Sequence, residues 1–111
     1  MSSFYFYESL PSTMDEARDK ALKGAKEGSV IVAFKQTQGR GRRDRVWESL
    51  SGNLHLTYIT YTNCPLSEAP QLSFVACVAV GEVLRLLLPP GNLMTYKWPN
   101  DLLLNGKKVA G

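Results

Sequence analysis

The chain has 111 residues, 44% of them hydrophobic, with 13 lysines and arginines against 10 aspartates and glutamates. That length supports one small domain rather than two, and the composition excludes a disordered or collagen-like chain. The formal charge of +3 is concentrated: Gly39 to Trp47 holds four arginines and one aspartate, and the remainder balances at nine against nine, which favours a local anion site over a nucleic-acid or membrane footprint.

The opening MSSFYFYESL lacks a basic stretch followed by an apolar core, so no secretory signal is expected. FYFYESL alternates and is rich in aromatics, as a first strand would be. STMDEARDKALKGAKEG reads as a helix opened by a capping box of Thr13 and Glu16. Met14, Ala17, Ala21 and Leu22 form its apolar face, and Gly24 or Gly28 ends it. SVIVAFKQ is a β-branched strand leading into the arginine segment; Ser49 to Asn53 reads as a turn and LHLTYITY as another strand.

NCPLSEAP is a loop, followed by a long helix from about Gln71 to Leu88, stopped by Pro89-Pro90-Gly91. Ser73, Gly81, Glu82 and Arg85 interrupt its apolar run, which predicts a buried helix rather than a membrane span. LMTYKW is a strand entering a tight WPND turn, and DLLLNGKKVAG is a hairpin with Asn105-Gly106 at its tip. The order β-α-β-β-α-β-β implies an α/β (α+β) fold with a mixed β-sheet flanked by helices. The return strand of the hairpin reaches Gly111 with its edge uncovered, so residues 1–111 are expected to be the N-terminal portion of one larger domain. Cys64 and Cys77 have neither Cys-x-x-Cys spacing nor a histidine cluster beside them, so free thiols, no metal site and a cytoplasmic location are expected.

The arginine segment, GRGRRDRVW, carries the most chemistry. Gly39 and Gly41 let backbone N–H groups approach a ligand. Arg40, Arg42, Arg43 and Arg45 offer planar forks matched to carboxylate and phosphate, and Trp47 offers a ring on which a purine could stack. It lacks the Gly-Lys-Ser/Thr ending of a phosphate loop and the third glycine of a dinucleotide fingerprint. Taken alone it reads more readily as an arginine–glycine nucleic-acid segment or a solvated basic loop, with Trp47 as a core anchor. In KWPND, Pro99 restricts the backbone around Trp98, and Asn100 and Asp101 can close a turn that holds Lys97 at a strand end. There Lys97 could act as a point charge on a carboxylate or phosphoryl oxygen, although an ordinary turn with an exposed lysine has the same pattern.

Together, GRGRRDRVW and KWPNDLLLNGKKVAG, with STM and QTQGRG upstream, resemble the biotin protein ligase family in motif, order and spacing across essentially the whole chain. The resemblance implies a biotin/lipoate ligase catalytic domain that continues past Gly111. It implies activation of biotin by ATP and Mg²⁺ to biotinyl-5′-AMP, then transfer to a lysine of a biotin carboxyl carrier domain. By position, Ser12, Thr13 and Gln36 resemble the residues that bond the biotin ureido ring and tail. Gly39 lets the loop close over the ring, Arg40 meets the carboxylate, and Gly111 lies against biotin. Arg42 resembles the arginine that retains the adenylate, with Arg43 and Arg45 near phosphate and Trp47 near adenine. Lys97 resembles the essential lysine at the carboxylate–phosphate junction, so Lys97 and Arg42 are the catalytic candidates.

The arginine segment is expected to be a flap, poorly ordered until anions neutralise it. Asp44 stands where many members have glycine, and could pair with a neighbouring arginine. His55 reads as a packing residue. No winged-helix segment precedes the first strand, so neither repressor activity nor nucleic-acid binding is expected. The alternatives are a lipoate or octanoate ligase or transferase of the same fold and a basic RNA-binding module; residues 1–111 alone are expected to be inactive.

Overall fold

A computed structural model describes residues 3–111. Met1 and Ser2, the start of the stretch read above for a signal, lie outside the described residues. The chain divides between Thr62 and Asn63 into two compact units.

In the first unit, β1 (Phe4–Leu10), α1 (Thr13–Leu22), β2 (Val30–Gln36) and β3 (His55–Tyr58) follow in order, with a single 3-10 turn at Arg42–Asp44. The sheet order is β1-β2-β3, with β1 parallel to β2 and β3 antiparallel to it. A parallel pair needs a crossover connection, and α1 supplies it. Alternation along β1 turns Tyr5 and Tyr7 toward a core of Ala17, Ile31 and Ile59, and leaves Phe4 and Phe6 exposed on the other face. β2, central in the sheet, is buried from Val30 to Ala33, as expected of a strand covered on both edges.

Three sequence expectations are corrected in this unit. The N-cap of α1 is Ser12, whose Oγ accepts from the Met14 N–H at 3.2 Å, and Thr13 is the first helical residue. No capping box forms, because Glu16 Oε1 accepts from the Tyr7 hydroxyl at 2.8 Å instead of reaching back to the cap. The apolar face of α1 is narrower than its pattern: Ala17 is buried and Ala21 packs on the core, but Met14 and Leu22 are exposed. LHLTYITY is paired only from His55 to Tyr58. Beyond it, the Ile59 N–H still donates to Ser29 O, while the Glu27 carboxylate accepts from Thr60 Oγ1 and the Tyr61 N–H, so a side chain takes over from the ladder.

The second unit contains α2 (Gln71–Leu87) and an antiparallel sheet of β4 (Met94–Lys97), β5 (Asp101–Leu104) and β6 (Lys107–Ala110), in that order. Parallel and antiparallel pairing are therefore mixed only in the first unit's sheet. Asn105 and Gly106 have φ of 50° and 82°, the left-handed conformations that a two-residue hairpin turn requires. The Asn105 side chain also accepts from the Leu93 N–H and donates to Asn92 Oδ1, tying the tip to the start of β4. A bulge interrupts β5/β6 pairing between Leu102 and Leu103.

The expectation of a buried second helix is overturned. Gly81 is the one fully buried residue described in α2, whereas Val75 is 64% and Leu86 is 86% exposed. Within this unit the sheet meets α2 at Gly81, against Tyr96. The contact is close, since a Cβ at Gly81 would lie 2.8 Å from Tyr96 Cε1. Phe74 meets Trp98 with ring centroids 4.3 Å apart.

Candidate active site

The arginine segment folds back on itself as a short hairpin. Arg40 and Val46 form an isolated antiparallel bridge, Trp47 N–H donates to Gly39 O at 3.0 Å, and Gly41 N–H to Arg45 O at 2.6 Å. At its tip Arg43 and Asp44 have φ of 57° and 60°. Left-handed backbone is open to glycine and tolerated by aspartate at modest cost, which accounts for both residue types at position 44. Among the described residues Asp44 forms no ion pair. The acid that meets the hairpin is Asp15, in the first turn of α1, whose Oδ1 lies 2.7 Å from Arg40 Nη2. Arg42, Arg43 and Arg45 are exposed. A cleft of about 300 Å³ is lined by Asp15, Gly39, Arg40, Asp44 and Arg45 with their neighbours.

At the foot of the hairpin, the polar side chains form one continuous network. The Thr13 N–H donates to Gln36 Oε1 at 2.8 Å, and Thr13 Oγ1 donates to the same oxygen at 3.1 Å. Thr57 Oγ1 donates to Thr13 Oγ1 at 2.8 Å. On the other side of the amide, Gln36 Nε2 donates to Ser49 Oγ at 2.9 Å, and Ser49 Oγ donates to Trp47 O at 3.3 Å. Ser12 and Thr13 are buried. Gly39 sits against this network so closely that a Cβ there would lie 2.5 Å from Ser49 Oγ and 2.6 Å from Trp47 O. No other residue fits that position without moving the hairpin.

The second unit gathers its own set. Lys97 ends β4, exposed, directly across from Asp101 in the β4/β5 register. Asp101 Oδ1 pairs with Lys108 Nζ at 3.1 Å. A Cβ on Gly111 would come within 2.8 Å of Lys108 Cε and 3.2 Å of Asp101 Oδ1, so Lys97, Asp101, Lys108 and Gly111 share one end of this sheet. Cys77 Sγ lies 3.7 Å from Asp101 O, and burial, followed by the Asp101 charge, raises its thiol pKa, which keeps it protonated near neutral pH.

The first unit thus brings Thr13, Gln36, Gly39 and Trp47 together, with Ser12 next in the chain at the helix cap, and hangs Arg40, Arg42, Arg43 and Arg45 on the hairpin above them; the second places Lys97 and Gly111 on opposite sides of Asp101 at one end of its sheet. The sequence reading missed Ser49, Thr57 and Asp15. Thr57 was recoverable, because alternation along β3 places it on the same face as buried His55 and Ile59. Nothing local marks Ser49 or Asp15. His55 is 6% exposed with Nδ1 3.2 Å from Ala33 O, and its buried Nε2 has no partner among the described residues. Among the described residues no three His, Cys, Asp or Glu side chains cluster as a metal would need.

A helix N-terminus, a polar network and an arginine hairpin thus stand together on one small mixed sheet. Residues 6–111 match the model of the biotin/lipoate A/B protein ligase family, and the chain belongs to that family. It is 43% identical over 107 residues to the bifunctional ligase/repressor BirA of Bacillus subtilis, covering 96% of this chain and 32% of that protein. It is 41% identical over 100 residues to the biotin–[acetyl-CoA-carboxylase] ligase of Paracoccus denitrificans, covering 87% of this chain and 42% of that one. Among solved structures, the biotin protein ligase of Leishmania major in complex with biotinyl-5-AMP superposes with a TM-score of 0.74 at 33% identity, covering 96% of this chain and 49% of that one. The biotin protein ligase of Aquifex aeolicus in complex with biotin and ATP gives 0.75 at 28% identity, with 96% and 44% covered. The chain therefore spans about a third of the first of these curated relatives and about half of the Leishmania structure.

Proposed function

We propose that this chain carries the biotin-activating part of an ATP-dependent biotin–protein ligase. The observation that supports this best is the network in which Thr13 and Gln36, beside the Ser12 cap, meet Gly39 at the foot of the arginine hairpin. Relatives of the same family, with matching folds, have been solved with biotinyl-5-AMP and with biotin and ATP.

In the first step the biotin carboxylate attacks the α-phosphorus of ATP, a C–O–P linkage forms and pyrophosphate leaves. Two anions must meet, so cations placed where the charge gathers lower the barrier. Arg40, Arg42 and Lys97 take this role, with Arg43 and Arg45 near phosphate and Trp47 against adenine. At ~1.5–3 kcal/mol per charge-assisted hydrogen bond, each contact is worth roughly one to two powers of ten in rate. To reach the carboxylate, Arg40 exchanges Asp15, its partner in this structure, for the ligand. In the second step a lysine amine of a biotin carboxyl carrier domain attacks the acyl carbon and AMP leaves. Mg²⁺, carried with the triphosphate, would supply charge neutralisation at the phosphates. ATP as substrate and the free thiol of Cys77 fit a cytoplasmic site of action.

The test is titration of biotin and lipoate, separately, into the full-length protein, with pyrophosphate release measured in the presence of ATP. Biotin binding with biotin-dependent release supports the reading; tight lipoate binding without biotin binding overturns it. Residues 1–111 alone are expected to form no biotinyl-adenylate.

A further inference from the structure

We propose that Ser49 is a positioning residue for biotin recognition, holding the Gln36 carboxamide and tying it to the arginine hairpin. The inference rests on the biotin-site reading of Gln36. It begins from a constraint on proton directions. A backbone N–H can only donate, so Gln36 must turn its oxygen toward the Thr13 N–H, 2.8 Å away. The Thr13 hydroxyl, 3.1 Å from that oxygen, must then donate as well, and so must accept from Thr57. The Gln36 NH₂ is left facing Ser49 Oγ at 2.9 Å, and the Ser49 hydrogen goes to Trp47 O at 3.3 Å. One backbone group thereby sets the direction of every bond in the network.

Within it, Ser49 alone bonds both the amide and the backbone of the hairpin. Trp47 closes that hairpin through its N–H to Gly39 O, and the close approach of Gly39 leaves no room for a slack contact. With both oxygen-side bonds and one nitrogen-side bond made, Gln36 retains a single Nε2 hydrogen. It therefore offers a ligand a donor and rejects a ligand donor, which suits the carbonyl of a cyclic urea. Loss of the Ser49 hydroxyl removes the nitrogen-side bond that steadies the carboxamide plane and uncouples the hairpin from the pocket.

The experiment compares Ser49→Thr with Ser49→Val in the full-length protein, a pair alike in shape and different only in the hydroxyl. Ser49→Ala serves as a second hydroxyl-free variant without added bulk. Biotin affinity by calorimetry is expected to be near wild type for Thr and about tenfold weaker for Val and Ala. In a Gln36→Met background the Thr–Val difference is expected to vanish, since Ser49 acts through the amide. A Thr–Val difference that is absent from the start, or equal in both backgrounds, overturns the proposal. The ¹⁵N-labelled side-chain NH₂ resonance of Gln36, identified by its loss in Gln36→Met, reads the contact without biotin. It is expected to move in Ser49→Val and stay in Ser49→Thr; an unmoved resonance in Ser49→Val also overturns the proposal. A wild-type protein that binds no biotin refutes the biotin-site reading, and leaves the resonance to decide the Ser49 contact.

Discussion

In the first unit a mostly polar helix, α1, is fastened on its inner side: Ala17 is buried in the core, Ser12 caps the helix, and Thr13 bonds Gln36 and Thr57. In the second unit a far more apolar helix, α2, buries Gly81 and leaves most of its valines and leucines exposed. The contrast separates two quantities that sequence patterns merge. Apolar composition measures how much a helix could bury, whereas burial requires a surface of matching size opposite it. The first unit reaches a directional site over a small core cluster of Ala17, Ile31 and Ile59 with their half-buried neighbours, because hydrogen bonds across long sequence separations hold it. In the second, Lys97 is placed by a strand end and a turn alone.

That difference can be tested by mutation, beginning with the largest expected effect. Lys97→Ala should lower adenylation by at least ~100-fold, the scale for a lost transition-state contact, with biotin affinity reduced far less. Pyrophosphate release and calorimetry on the full-length protein check this, and wild-type turnover would remove Lys97 from the chemistry. Arg42→Gly should let the adenylate escape, seen as biotin on bystander lysines; labelling confined to the carrier domain would contradict it.

Gly39→Ala should act through structure. The added methyl meets Ser49 Oγ and Trp47 O, and the second, a backbone atom, moves only with the hairpin. A destabilisation of about 1–3 kcal/mol in the first unit is expected, with weakened biotin binding. Gly81→Ala makes an equally close contact in the second unit, but with the Tyr96 ring, which is 42% exposed and free to swing outward. Its cost should therefore be the lower end of that range, about 1 kcal/mol. Hydrogen exchange should accelerate in β4 and α2 while β1 and β2 remain as in wild type.

The smallest effect concerns Glu27. The hydrogen bonds from Thr60 Oγ1 and then from the Tyr61 N–H hold its carboxyl below the usual carboxylate range. A depressed folded pKa means stability that is present above the unfolded pKa and lost as pH falls through the folded one. Glu27→Gln should thus be slightly less stable than wild type at neutral pH, and the gap should close on acidification below that folded pKa. A constant gap in denaturant melts across that range would contradict the assignment. The group is fully exposed, so the difference is small.

Much of the fold was legible because it is local. Alternation in FYFYESL, β-branching in SVIVAFKQ, the proline stop after α2 and Asn105-Gly106 at the hairpin tip each act within a few residues, and each element falls where those signals place it. The errors share a cause. Thr13 reads as a cap by its spacing to Glu16, but Gln36, 23 residues on, takes its N–H and hydroxyl, and Tyr7 takes Glu16. α2 reads as buried because its residues are apolar, whereas the sheet of β4–β6 meets it at Gly81. Asp44 reads as the arginines' partner because it is their neighbour, and the bond goes to Asp15, 25 residues from Arg40.

By itself the sequence determined the secondary elements, the concentration of positive charge between Gly39 and Trp47, and membership in the biotin/lipoate ligase family. Those follow from short-range sterics, residue chemistry and motif spacing, all properties of neighbours along the chain. Only the tertiary structure decided that Ser12 rather than Thr13 caps the helix, that Ser49 and Thr57 complete the polar network, and that Arg40 meets Asp15. Each of these depends on which distant group arrives within 3 Å, and hydrogen bonds and ion pairs are set by that distance rather than by composition.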